Sequence, residues 1–123
     1  MSAVSPPGSA PRYLHIEGAL QQIGDEGALR EMLPMVLESL RRDVPAVHAA
    51  LAEGDVKSAN RLLHPLKGFI PIFCTPPLYE HVADVEHLSK NESAATVAAA
   101  FTVLAPELLT FQAEVAAYLG VAN

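Results

Sequence analysis

Tryptophan is absent from the chain, aromatic residues make up only 6% of it, and cysteine occurs once. Strands draw on aromatic and β-branched side chains, so a chain that is 50% apolar, with Ala, Leu and Val supplying most of that half, points to helices. The lone Cys74 has no mate in the chain, which excludes a disulfide framework and fits a reducing cytoplasm. Its expected role is that of a small buried hydrophobe. Basic residues are scarce: 8 Lys and Arg stand against 14 Asp and Glu, giving a net charge of −6. With no Lys/Arg run, the chain lacks the electrostatic footprint that binding to nucleic acid or to an anionic membrane requires. It also lacks a glycine-rich loop that could cradle a nucleotide, so it has no means of drawing a phosphoryl group from ATP by itself.

The 123 residues suffice for one ordinary core and are too few for two. Residues 1–11, with Pro6, Pro7, Gly8 and Pro11, little charge and no apolar run, are expected to form a flexible tail rather than a signal peptide, leaving 12–121 as the domain. The last third is apolar enough to raise the question of a membrane span, but Pro106, Glu107, Gln112 and Glu114 interrupt it, so a core helix is expected.

Apolar residues recur at helical spacing in five stretches. A short amphipathic opening runs from Tyr13 to Ile23 and stops at Gly24, after which Asp25 is placed to cap the next helix. Leu29, Met32, Leu33, Val36, Leu37, Leu40, Val44, Val47 and Leu51 form a long second stripe up to Glu53-Gly54-Asp55. Pro34 is expected in its early turn and Pro45 at a bend. Val56, Ala59, Leu63, Leu66, Ile70 and Phe73 follow an Asp55 cap until Thr75-Pro76-Pro77. Leu78, Val82, Val85 and Leu88 make a fourth stripe, and Ser93 is a candidate cap for Val97 to Tyr118. Short connections between long helices force antiparallel neighbours, so the expected fold is all-α: an up-and-down antiparallel four-helix bundle with a short N-terminal capping helix. A complete core in one chain predicts a monomer.

On a helical wheel of the third stripe, His64 lies roughly 140° from the apolar centre and is expected in solvent. Asn60, Lys67, Gly68 and Pro71 surround it at i−4, i+3, i+4 and i+7. A nucleophilic imidazole must be neutral and accessible, and a neighbouring ammonium can offset an arriving anion. Gly68 leaves room for another molecule to approach the ring. Lys57, Arg61, His64 and Lys67 share one side of the helix in an otherwise acidic chain, a stripe suited to steering an acidic partner. His15 and His48 have no such setting. His81, Asp84 and His87 spread too widely for a metal site, and Glu38 and Glu86 read as ordinary surface carboxylates.

The stretch Leu63-His64-Pro65-Leu66-Lys67-Gly68 resembles the signature of the histidine phosphotransfer (HPt) family, and the likeness extends over roughly Tyr13 to Leu119. The resemblance implies a phosphoryl carrier of a two-component phosphorelay without kinase activity of its own. In it His64 would be the phospho-acceptor, Lys67 the charge partner of the phosphoryl group, and Lys57, Asn60, Arg61, Pro65, Gly68 and Pro71 the partner-binding face. It implies response-regulator receiver domains and a hybrid sensor kinase as partners, with Mg²⁺ in the receiver's acidic pocket and no cofactor in this chain. Pro65, Pro71 and Cys74 depart from the family pattern. Each proline removes an amide from the helix, and Pro71 adds bulk to the docking face. The alternative is a bundle that docks receivers without carrying phosphate.

Overall fold

The helix boundaries follow from their caps in the computed structural model, which describes residues 11–123. The order is α1 (Ile16–Ile23), α2 (Glu26–Ala52), α3 (Val56–Phe69), a single 3₁₀ turn (Ile70–Ile72), α4 (Pro76–Asn91) and α5 (Ala94–Leu119). Asp25, Asp55 and Ser93 precede α2, α3 and α5. Their side chains accept the backbone N–H of Ala28 at 2.7 Å, Ser58 at 3.1 Å and Thr96 at 3.2 Å. Each such cap contributes about 1 kcal/mol by occupying an orphan donor. α1 and α5 end on Gly24 and Gly120, whose φ values of 83° and 73° lie in the left-handed region that glycine enters without a Cβ penalty.

Besides Pro76 and Pro77, which open α4, four prolines of the described residues sit in helix interiors without breaking them: Pro34 and Pro45 in α2, Pro65 in α3 and Pro106 in α5. All four are exposed, and so are Arg30, Arg41, Arg61 and Thr102, the residues four positions earlier whose carbonyls lose a donor. A proline and the carbonyl it orphans share one helix face, so water can satisfy the carbonyl wherever that face is wet. Pro34 lies roughly two turns inside α2, not in its first turn, because Asp25 starts the helix well upstream. Pro71 acts differently. The third stripe was expected to continue as one helix to Phe73, but α3 stops at Phe69 and tightens into the 3₁₀ turn that contains Pro71.

The fold is all-helical. α2 packs against α3 and α5, α4 packs against the same two, and α1 lies on α2. Leu33, Leu40, Leu63, Leu66, Leu78, Phe101, Leu108 and Phe111 are fully buried between them. By length and composition α5 could cross a membrane, yet Val97, Phe101, Leu104, Leu108, Phe111 and Val115 are buried inside the fold.

The opening helix begins at Ile16 rather than Tyr13. Tyr13 to His15 are held apart from the helix by pairing: His15 N–H donates to the Phe73 carbonyl at 2.8 Å and Thr75 N–H to that of Tyr13 at 2.9 Å, with Leu14 opposite Cys74. The Glu114 carboxylate on α5 accepts the N–H groups of Arg12, Tyr13 and Leu14 at 2.6, 2.9 and 2.9 Å. Glu114 anchors the segment, and the pairing with Phe73 and Thr75, which takes the Tyr13 carbonyl and the His15 amide, keeps it out of the helix. Apart from Pro11, the tail expected over 1–11 lies outside the described residues.

Candidate functional site

The exposed face of α3 carries His64, whose side chain is 65% accessible, as its place on the wheel requires. Its ring is held from below. Glu86 of α4 is 1% exposed, and its Oε2 lies 3.4 Å from His64 Nδ1. Glu86 Oε1 accepts from Lys67 Nζ at 3.1 Å, and Oε2 also accepts from Asn60 Nδ2 at 3.1 Å and faces Lys90 Nζ at 3.5 Å. A buried carboxylate is costly unless paired and hydrogen-bonded. Here burial opposes ionisation, but the hydrogen bonds from Lys67, Asn60 and His64 and the charge of Lys67 outweigh it and hold the Glu86 carboxyl below its ordinary range. An anion therefore sits under an exposed imidazole.

Glu86 was expected at the surface and is instead the hub of the site. The signal was present in the pattern of α4: on a wheel Glu86 lies about 80° from Leu78, mirroring Leu88 on the other flank, and an apolar arc is commonly wider than 100°. Whether a flank residue meets water or a neighbouring helix depends on the packing of α3, which the spacing within α4 does not contain.

The other residues of the face fall as follows. Lys57, Arg61 and Pro65 are exposed, Asn60, Lys67 and Pro71 are half-buried, and a Cβ built on Gly68 would meet nothing within 4 Å. The fold itself thus does not require glycine at 68, although glycine inside a helix costs about 1 kcal/mol relative to alanine. Lys57, Asn60, Arg61, Ser89 and Lys90 line an open polar depression of about 290 Å³ between α3 and α4. On the opposite flank Met32, Met35, Val36, Ser39, Phe69 and Phe73 line an apolar groove of about 260 Å³, with Met35 69% exposed.

Cation placement is uneven. Arg12 and Arg30 lie over the rings of Tyr13 and Tyr118, Arg41 donates to the Ala122 carbonyl, and Arg42 pairs with Asp43 at 2.9 Å. The remaining four, Lys57, Arg61, Lys67 and Lys90, lie on the two helices that carry His64 and Glu86: Lys67 and Lys90 face the Glu86 carboxylate, and Lys57, Arg61 and Lys90 line the polar depression. Among the described residues Lys57 and Arg61 have no ion-pair partner within 4 Å; their charge reaches Asp55, whose carboxyl is lowered first by its hydrogen bonds with Ser58 and then by those two cations.

Of the other histidines, His81 pairs with Glu107 at 2.9 Å across α4 and α5, and His48 meets Phe101 edge-on. Cys74 is buried, and that burial pushes its thiol up to about 12. Protein-family models, curated proteins and solved structures yield no match to the chain, so the reading of this face rests on its own residues and geometry.

Proposed function

We propose that the chain is a histidine-containing phosphotransfer protein of a cytoplasmic two-component phosphorelay, a monomeric up-and-down four-helix bundle with α1 as its cap. The observation that carries this reading is the exposed His64 imidazole with Nδ1 turned onto the buried Glu86 carboxylate and Lys67 one turn away. Glu86 accepts from Nδ1–H, which leaves the lone pair on Nε2 at the accessible side of the ring.

In the transfer, the Nε2 lone pair attacks the phosphorus of an aspartyl phosphate on one receiver. The N–P bond forms as the bond from phosphorus to the carboxylate oxygen breaks, and the aspartate leaves as a carboxylate. The ring keeps its Nδ1 proton and becomes cationic, and Glu86 offsets that charge. Lys67 shifts from Glu86 toward the phosphoryl oxygens. The reverse sequence on a second receiver's aspartate discharges the protein. Because the phosphoryl group arrives activated, positioning and charge balance suffice, and the chain has no kinase activity of its own. Mg²⁺ belongs to the receiver.

Receiver domains gather acidic residues around the phosphorylated aspartate, which matches the four cations concentrated on this face of an acidic protein. The open space over Gly68 and the apolar groove beside Phe69 supply clearance and contact area. Incubation with a radiolabelled phospho-receiver tests the reading: label moves to the wild-type chain and not to His64→Gln. A protein that binds the receiver but takes no label is a docking module instead.

A further inference from the structure

Asn60 stands one turn before His64, where a partner-contacting role was expected, but its amide is spent inside the protein. Nδ2 lies 2.8 Å from Ser89 Oγ, 3.1 Å from Glu86 Oε2 and 3.4 Å from the Glu86 carbonyl. Only the donor end of the amide can face a carboxylate and a carbonyl, and its two protons match the two nearer acceptors. Ser89 Oγ in turn donates to the Glu86 carbonyl at 2.5 Å, so the serine lone pairs are free to accept from Asn60. The result is a closed ring of hydrogen bonds tying α3 to Glu86 through both its side chain and its main chain.

The other groups on Glu86 change state when a phosphoryl group arrives, and Asn60 does not. His64 gains positive charge, while Lys67 and Lys90 are mobile ammonium groups drawn toward the incoming oxygens. A buried carboxylate deserted by its lysines loses its compensation. A neutral amide that is itself anchored to Ser89 keeps one hydrogen bond on Oε2 throughout and holds that oxygen toward Nδ1.

We propose that Asn60 is a positioning residue: its amide locks the Glu86 carboxylate so that Oε2 faces His64 Nδ1, fixing the ring proton on Nδ1 and leaving Nε2 as the nucleophile. This rests on the phosphocarrier reading for its purpose, but the tautomer it sets belongs to the resting protein. Of the groups on the two packed helices, Glu86 on α4 meets the ring itself, and Asn60 and Lys67 on α3 and Lys90 on α4 meet the Glu86 carboxylate.

The test is long-range ¹H–¹⁵N correlation NMR of histidine-labelled protein, without any receiver, comparing wild type with Asn60→Ala and Asn60→Leu. The second variant keeps the side-chain bulk and removes both donors without adding a charge beside Glu86. Wild type should hold neutral His64 mainly as the Nδ1–H tautomer. Loss of one hydrogen bond of ordinary strength shifts the ratio toward Nε2–H by roughly fivefold in each variant that retains the wild-type spectrum elsewhere. An unchanged ratio in the folded variants overturns the assignment, and so does a wild-type protein already in the Nε2–H form. Neither result depends on phosphate moving, so failure here leaves the carrier reading standing, and failure of phosphotransfer leaves the tautomer result standing.

Discussion

Oε2 of Glu86 and Nδ1 of His64 meet at 3.4 Å across the seam between α3 and α4, one group buried and the other in water. The separation is at the long end for a hydrogen bond, and a bond of this kind tightens once the ring carries charge. On the proposed function, the carboxylate thus contributes most once a phosphoryl group is on His64. Glu86→Gln keeps the shape and removes the charge. Since hydrogen bonds involving an ion contribute about 1.5–3 kcal/mol, transfer from a phospho-receiver should slow by about tenfold or more. Rapid-quench kinetics check this, with binding of the unphosphorylated receiver nearly unchanged.

The same carboxyl links stability to pH. Its folded value lies below the ordinary one, so the stabilisation is complete above the unfolded carboxylate range and is lost as pH falls through the folded value. Urea unfolding at a series of pH values should show wild type more stable than Glu86→Gln at neutral pH, with the difference shrinking steadily below about pH 4.

Gly68 separates stability from function. Alanine at this position meets no atom and restores helix propensity, so Gly68→Ala should stabilise the fold by about 0.5–1 kcal/mol. If a partner's rim lies over His64, the added methyl weakens receiver binding in the same variant. Paired urea titrations and binding isotherms show whether the two effects move in opposite directions.

Much of this face was legible in the sequence. A 100° step places His64, Lys67 and Gly68 on the outer side of α3, and the caps at Asp25, Asp55 and Ser93 follow from residue type and position alone. Glu86 was legible only in part: its flank position shows on the wheel of α4, but its burial is decided by α3 rather than by its own helix. The extended pairing of Tyr13 to His15 with Phe73 to Thr75 was hidden for a similar reason: it joins segments about sixty residues apart, and a Glu114 still further along holds their amides. Local periodicity read that stretch as helix because nothing near it in the chain says otherwise.

Glu114 offers a separate check on the fold. Glu114→Ala frees three backbone donors of Arg12, Tyr13 and Leu14, at a cost of about 1–3 kcal/mol. Hydrogen exchange at Tyr13 and Leu14 should accelerate while the amides in the middle of α3 keep their protection. Equal loss throughout would mean that the N-terminal pairing and the helices unfold as one unit.

Cys74 should be inert. With its thiol pushed up to about 12 by burial, native protein should resist alkylation at mildly alkaline pH and react only when unfolded. Alkylation timed by mass spectrometry, with and without urea, measures this.

The most direct test of the central claim is intact-protein mass spectrometry after mixing the chain with a phosphorylated receiver and Mg²⁺, with His64→Gln run in parallel. The account predicts an acid-labile gain of one phosphoryl group in the wild type and none in the variant. A receiver that binds the wild type without leaving any adduct, or an adduct that persists in His64→Gln, would contradict it.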